Sequence, residues 1–156
     1  MSERLESPID GRQSEAALAI ARGVRRLLRA HGFATVTELP LASGRRADVV
    51  GVNADGALLI VEIKSSIADL RADHKWRDYF AHCDRLYFAV DADMPLDAMP
   101  EEAGLIVADS YGGEILREPA PRAISPAARR AVLLRFALAA AERLHRLADP
   151  GAAPES

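Results

Sequence analysis

Two short, almost wholly apolar runs joined by a glycine turn constrain this chain more than any other feature. Arg46 to Asn53 and Ala57 to Lys64 are rich in valine, leucine and isoleucine, and Asn53-Ala54-Asp55-Gly56 closes them. Runs of that length bounded by turn residues read as β-strands buried on both faces. The turn sequence suits a type I turn with glycine in the left-handed position of a bulge, so Asn53 pairs with Ala57. Side chains alternate along a strand, and that register sets Asp48 directly opposite Glu62, with Lys64 two positions further along the same face. Val50, Val52, Leu58 and Ile60 share this face, and Val49, Leu59, Val61 and Ile63 point the other way. A two-residue loop centred on Asp55-Gly56 would instead turn Asp48 away from Glu62.

Opposed carboxylates repel in a sheet, and desolvation adds to the cost unless a cation or an amine compensates. Magnesium compensates well: it takes oxygen ligands at about 2.1 Å, accepts one or two carboxylates, and leaves its other positions to water and substrate phosphate. The expected centre is Asp48, Glu62 and the backbone carbonyl of Ile63 around Mg2+, with Mn2+ as the alternative, and Lys64 positioning water or stabilising developing charge. The chemistry expected is phosphodiester hydrolysis. The competing reading is a strand-end salt bridge in which Lys64 neutralises Asp48 or Glu62 without metal. Lysine is scarce here, Lys64 and Lys75 standing beside 18 arginines, which makes both positions informative.

Around this hairpin the periodicities alternate. Ser14 to His31 carries apolar residues at helical spacing with an opposite stripe of Arg22, Arg25, Arg26 and Arg29, most simply read as a solvated face. Phe33 to Leu39 reads as a strand, and Ser66 with Asp69 as a capping box opening a helix to about Phe80. Arg85 to Val90, Gly104 to Ala108 and Glu114 to Arg117 extend the sheet, and Ser125-Pro126 opens a closing helix over Ala128 to Leu147. The expected fold is α/β in the broad sense, an α+β mixed sheet with helices on both faces. Residues 13–148 are expected to form a single domain between flexible tails at 1–12 and 149–156.

Other function classes recede. No apolar run suggests a membrane span or a secretory signal, so a soluble, cytoplasmic protein is expected. A lone Cys83 allows neither an intrachain disulfide nor a cysteine-rich zinc site. The net charge of −3 denies the chain a global positive field, so DNA contacts must come from local clusters. No glycine-rich phosphate loop follows a strand and opens a helix, which disfavours nucleotide-binding enzymes of the doubly wound class.

The order helix, three strands, helix, strand, with aspartate on the second strand and Glu62-Ile63-Lys64 on the third, resembles the αβββαβ core of the PD-(D/E)xK nuclease superfamily, the restriction-endonuclease-like fold. More narrowly, Gly44-Arg45-Arg46-Ala47-Asp48, Val61 to Ser66, Asp73-His74-Lys75-Trp76 with Tyr79, Cys83 to Val90 and Gly104 to Asp109 are similar to the bacterial MmcB-related DNA repair proteins, over roughly residues 14 to 147. The resemblance implies Asp48 and Glu62 as metal ligands and Lys64 as catalytic lysine, with Ala47 standing where the superfamily name has proline. It implies a further acidic ligand, for which Glu15 and Glu38 compete, and a DNA contact from Lys75 one turn before Tyr79. Arg45 and Arg46 suit backbone phosphates, with a plain solvated loop as the alternative. Trp76 suits stacking on an unpaired base or, more simply, core packing. The function this implies is a Mg-dependent DNA nuclease acting in repair on damaged or branched DNA. The alternative is a catalytically inactive DNA-binding or scaffold module of a repair complex. A third reading makes the alanine-rich closing helix a homodimer or partner contact with other repair proteins.

Overall fold

The hairpin read from the sequence is present in the computed structural model, which describes residues 7–151. The Gly56 N–H donates to Asn53 O at 3.0 Å, the Asn53 N–H donates to Ala57 O at 3.2 Å, and Gly56 holds φ +81°. Asn53 Oδ1 accepts the N–H groups of Asp55 and Ala57 at 3.0 and 2.9 Å, which locks the loop from inside. The longer of the two loops is therefore the one formed. Its register runs Val52↔Leu58, Gly51↔Leu59, Val50↔Ile60 and Val49↔Val61.

Six strands lie side by side in chain order: β1 (Ala34–Pro40), β2 (Arg46–Val52), β3 (Leu58–Ile63), β4 (Arg85–Val90), β5 (Gly104–Ala108) and β6 (Gly113–Arg117). The pairs β1–β2, β2–β3 and β5–β6 are antiparallel, and β3–β4 and β4–β5 are parallel, so the sheet is mixed as expected. Helix α1 (Ser7–Ala30) precedes the sheet, α2 (Ile67–Ala72) lies in the β3–β4 crossover, and α3 (Pro126–Ala148) closes the chain. Every residue of β3 is buried, because helices cover the sheet on both sides.

One core lies under α1, where Ile20, Val24 and Leu28 pack on Val49, Leu59, Val61 and Ile106. The other gathers Val50, Ile60, Leu86 and Phe88 beneath Trp76, Tyr79 and Val132 of α3. Each such side chain stabilises the fold by about 1.5–3 kcal/mol through burial. At the opposite end of β3, Arg129 of α3 grips both oxygens of Asp84 at 2.7 Å, while Asp84 Oδ2 accepts the Leu58 N–H at 2.8 Å. That clamp fixes where β3 starts.

Two expectations need correction. The first helix begins at Ser7, not at Ser14, so residues 7–12 are helical where a flexible tail was expected; Pro8 falls in its first turn, which tolerates proline. Residues 1–6 and 152–156 lie outside the described residues. The second helix does not reach Phe80. It stops at Ala72 with Asp73 extended, and Trp76–His82 resumes as a 3₁₀ helix. The Ser66 cap does form, its Oγ accepting the Asp69 N–H at 3.0 Å, but Asp69 Oδ2 returns to the Ser65 N–H rather than completing the box. In α3 the expected Ser125 cap accepts the Ala128 N–H at 3.1 Å.

Gly23 is where α1 meets the β5–β6 turn backbone to backbone. A β-carbon there would stand 1.9 Å from Asp109 O and 2.4 Å from Gly112 O. Alanine at an exposed helix position normally stabilises by about 1 kcal/mol. Here Gly23→Ala is expected to destabilise by about 3 kcal/mol, since neither contact is a side chain that can swing away. Urea denaturation measures it, and an unchanged or higher midpoint would refute this packing.

Candidate metal and nucleic-acid site

Regular pairing of β2 with β3 ends at Val49↔Val61, one step before Asp48 and Glu62 would pair. Beyond that point the carboxylates replace the ladder. Glu62 Oε2 accepts the Asp48 N–H at 2.9 Å, and Asp48 Oδ2 accepts the Ile63 N–H at 2.8 Å. On the other side of β2, Thr37↔Val49 and Leu39↔Ala47 pair while Glu38 between them does not. Glu38 adopts φ +53°, a left-handed conformation costing about 1–2 kcal/mol outside glycine. With Glu38 out of the ladder, the Asp48 amide goes to Glu62.

Both acids are held against their preference for charge. Burial pushes the Asp48 carboxyl up to about 6, with the charge of Glu38 adding to it. Burial and the charge of Asp48 drive Glu62 well above the ordinary glutamate range. Lys64 is only 5% exposed, yet it does not neutralise the pair by direct contact. Its Nζ lies 2.8 Å from Asp73 Oδ2. Asp73 also accepts the Lys75 N–H at 3.1 Å and lies 3.4 Å from Arg45. Burial raises Asp73, but the hydrogen bond and charge of Lys64 outweigh that and hold it below the usual carboxylate range.

This donor set fits a divalent cation. Each of Asp48 and Glu62 places one oxygen on a backbone amide, and the Ile63 carbonyl follows directly. Among the described residues no three His, Cys, Asp or Glu side chains gather into a cage. Two carboxylates, a carbonyl and water are what magnesium accepts. The salt-bridge alternative is met only in altered form, since Lys64 pairs with Asp73 and not with Asp48 or Glu62.

The pair lines a cleft of about 1430 Å³ that also takes in Glu38, Arg45, Lys64 and Asp73. Of the two candidate extra acids, Glu38 lines this cleft and Glu15 does not. Glu38 itself is exposed and pairs with Arg46 at 3.4 Å. Arg45 stacks its guanidinium over the Tyr79 ring at 4.5 Å, while Arg46 points to solvent outside the cleft lining. Tyr79 is buried and donates from its hydroxyl to Arg46 O at 3.1 Å, so it braces the site and is not open to DNA. Trp76 is 5% exposed and packs edge-on against Phe80 and Phe88, which leaves core packing and removes base stacking. Lys75 is exposed but lies outside the cleft lining. The break after α2 explains this, because the 3₁₀ helix directs Trp76 and Tyr79 inward. Asp73 is the residue that sequence reasoning left without a role, although it sits in the Asp73-His74-Lys75-Trp76 block. Its signal was proximity in chain to the scarce lysines.

The family model for MmcB-like DNA repair proteins matches residues 5–151, nearly the whole chain. The chain belongs to the MmcB-like family. Membership places it in DNA repair. A solved structure of a protein of unknown function from Silicibacter pomeroyi is similar to this MmcB-like chain at 43% identity and TM-score 0.87, covering 90% of this chain and 97% of that one. A repair endonuclease from Pyrococcus abyssi aligns at 21% identity and TM-score 0.32, over 43% of this chain and 32% of its own, a likeness of fragments only. No curated protein matches. No helix among the described residues of this MmcB-like protein is long and apolar enough to cross a membrane.

Proposed function

We propose that this chain is a divalent-metal-dependent deoxyribonuclease of the PD-(D/E)xK type that hydrolyses phosphodiester bonds in damaged or branched DNA. The observation that carries the reading is the buried Asp48–Glu62 pair at the point where β2 and β3 stop pairing, with no salt bridge to a cationic side chain among the described residues. A bound magnesium or manganese ion would supply Lewis acidity at the phosphate and lower the pKa of water. Asp48 and Glu62 would hold the ion together with the Ile63 carbonyl. Lys64, held in place by Asp73, presents a hydrogen-bond donor to charge developing on the phosphate or to the attacking water. Arg45, fixed between Tyr79 and Asp73, stiffens that lysine's partner from behind.

A second reading, a DNA-binding or scaffold module that cuts nothing, draws on the hold of Asp73 on Lys64. The two separate by incubating the protein with nicked, flapped and branched DNA in magnesium, manganese or chelator, beside Asp48→Ala and Lys64→Ala. Metal-dependent cleavage by the native chain and its loss in both variants is expected. Intact DNA in every substrate leaves the binding module, and cleavage unaltered in both variants refutes Asp48 and Lys64 as its source.

A further inference from the structure

Helix α1 presents a second face away from its core residues. Leu18, Arg22, Arg25 and Arg29 follow one another at four, three and four residues, which stacks them in one stripe along the helix. All four are exposed, and all four line the cleft that contains Asp48 and Glu62. Arg26 departs from the stripe, donating across to Tyr111 O at 3.3 Å. Arg25 is steadied in place, its Nε donating to Thr35 Oγ1 at 2.9 Å, and its two terminal nitrogens make no further hydrogen bond among the described residues. A solvated arginine face would be indifferent to where the acidic pair lies; this one shares its cleft.

We propose that Leu18, Arg22, Arg25 and Arg29 form a docking track for single-stranded DNA, the arginines on successive phosphates and the bases against Leu18 and Phe33. The track's destination, the Asp48–Glu62 pair, rests on the nuclease reading; the track itself does not. From Arg22 to Arg29 the helix advances about 10 Å at 1.5 Å per residue. Three guanidinium groups along that length can each meet one phosphate of a strand, so the stripe neutralises about three backbone charges. Guanidinium groups suit phosphate oxygens in a planar, two-pronged geometry. The choice of an unpaired strand comes from the apolar part of the lining. Leu18 is 66% exposed at the cleft, and Phe33 lines it partly exposed. A duplex keeps its base faces stacked inside and shows only their edges in the grooves, whereas an unpaired strand has base faces to lay on such surfaces. With a net charge of −3, the chain offers DNA this local track and no general positive field.

The test is fluorescence anisotropy of labelled single-stranded and duplex oligonucleotides in chelator, over a salt series, with the native chain, the combined Arg22→Gln, Arg25→Gln, Arg29→Gln variant and Arg130→Gln on α3. Thermal melts verify that each variant folds, since all these arginines are exposed. The combined variant is expected to lose tenfold or more in affinity for the single strand, with the log affinity against log salt slope shallower by about 2, at about 0.7 per phosphate. Arg130→Gln is expected to match the native chain. Unchanged affinity and slope in the combined variant, or a native preference for duplex, overturns the track. A protein that binds through the track but never cuts leaves this inference standing and removes the nuclease reading; one that cuts while its binding ignores the three substitutions does the reverse.

Discussion

Asp48→Asn is expected to make the metal-free protein more stable at neutral pH while abolishing metal-dependent cleavage. The substitution keeps an oxygen for the Ile63 N–H that Asp48 Oδ2 now accepts, so the backbone contact survives. What disappears is a charge the fold resists. The Asp48 carboxyl is raised to about 6 by burial, with Glu38 adding, against an unfolded value of about 3.9. A raised acid is protonated more readily in the folded state, so its contribution is fully present below the unfolded value and is lost as pH climbs through about 6. Glu62 shifts in the same direction, from burial and from Asp48. The metal-free native chain should therefore lose stability from Asp48 as pH rises from about 4 through about 6, and Glu62 adds a loss of the same sign. Asp48→Asn should escape part of that loss, on the order of 1–3 kcal/mol at pH 7.5. Melting temperatures in chelator at pH 5 and 7.5 measure this. Adding magnesium should raise the native melting temperature more at pH 7.5 than at pH 5, because ligands must shed their protons, and should do little for the variant. Cleavage by the variant should fall by on the order of a thousandfold. A variant markedly less stable than the native chain at pH 7.5 would show that Asp48 is a structural anion and not a repelled one.

Asp73→Ala is expected to carry the largest stability loss of any single change at the site. Lys64 and Asp73 have side chains only 7% and 12% exposed, and their 2.8 Å contact is the one salt bridge Lys64 makes among the described residues. Removing one partner of such a pair leaves a buried charge uncompensated, a cost of about 3–5 kcal/mol. It also releases Arg45, whose Nε has no hydrogen-bond partner among the described residues. Asp73→Asn, which keeps the shape and an acceptor, should recover part of the loss. Because Asp73 acts on the site through Lys64, both variants should slow cleavage chiefly in kcat, with DNA affinity in chelator little altered. Urea denaturation and single-turnover cleavage measure the two effects. A loss below about 1 kcal/mol would mean that Lys64 finds the Asp48–Glu62 pair instead.

The hairpin was legible because its information is local. Asn53 to Gly56 determines the loop, the loop determines the register, and the register brings Asp48 across from Glu62 at any depth in the fold. The strands β4 and β5 were equally readable, since a buried parallel strand is an apolar run with sharp ends. The helix after β3 was not. Leu70, Trp76, Tyr79 and Phe80 satisfy helical spacing, but the chain breaks at Asp73, where the carboxylate meets Lys64 and Arg45 across the fold. That break carried Trp76 and Tyr79 into the core and left Lys75 exposed outside the cleft lining, so two of the three DNA contacts that rested on one continuous helix are buried.

By itself, then, the sequence determined which residues form the acidic pair and which strands carry them, because turn chemistry and two-residue periodicity act over a few neighbours. Only the tertiary structure decided what surrounds that pair. Lys64 and Asp73 are nine residues apart, and Glu38 leaves the β1 ladder where it would meet Asp48. The arginines of α1 and the carboxylates of β2 and β3 are brought to one cleft by packing alone. Burial and long-range charge follow from where whole elements are packed, and no local pattern encodes that placement.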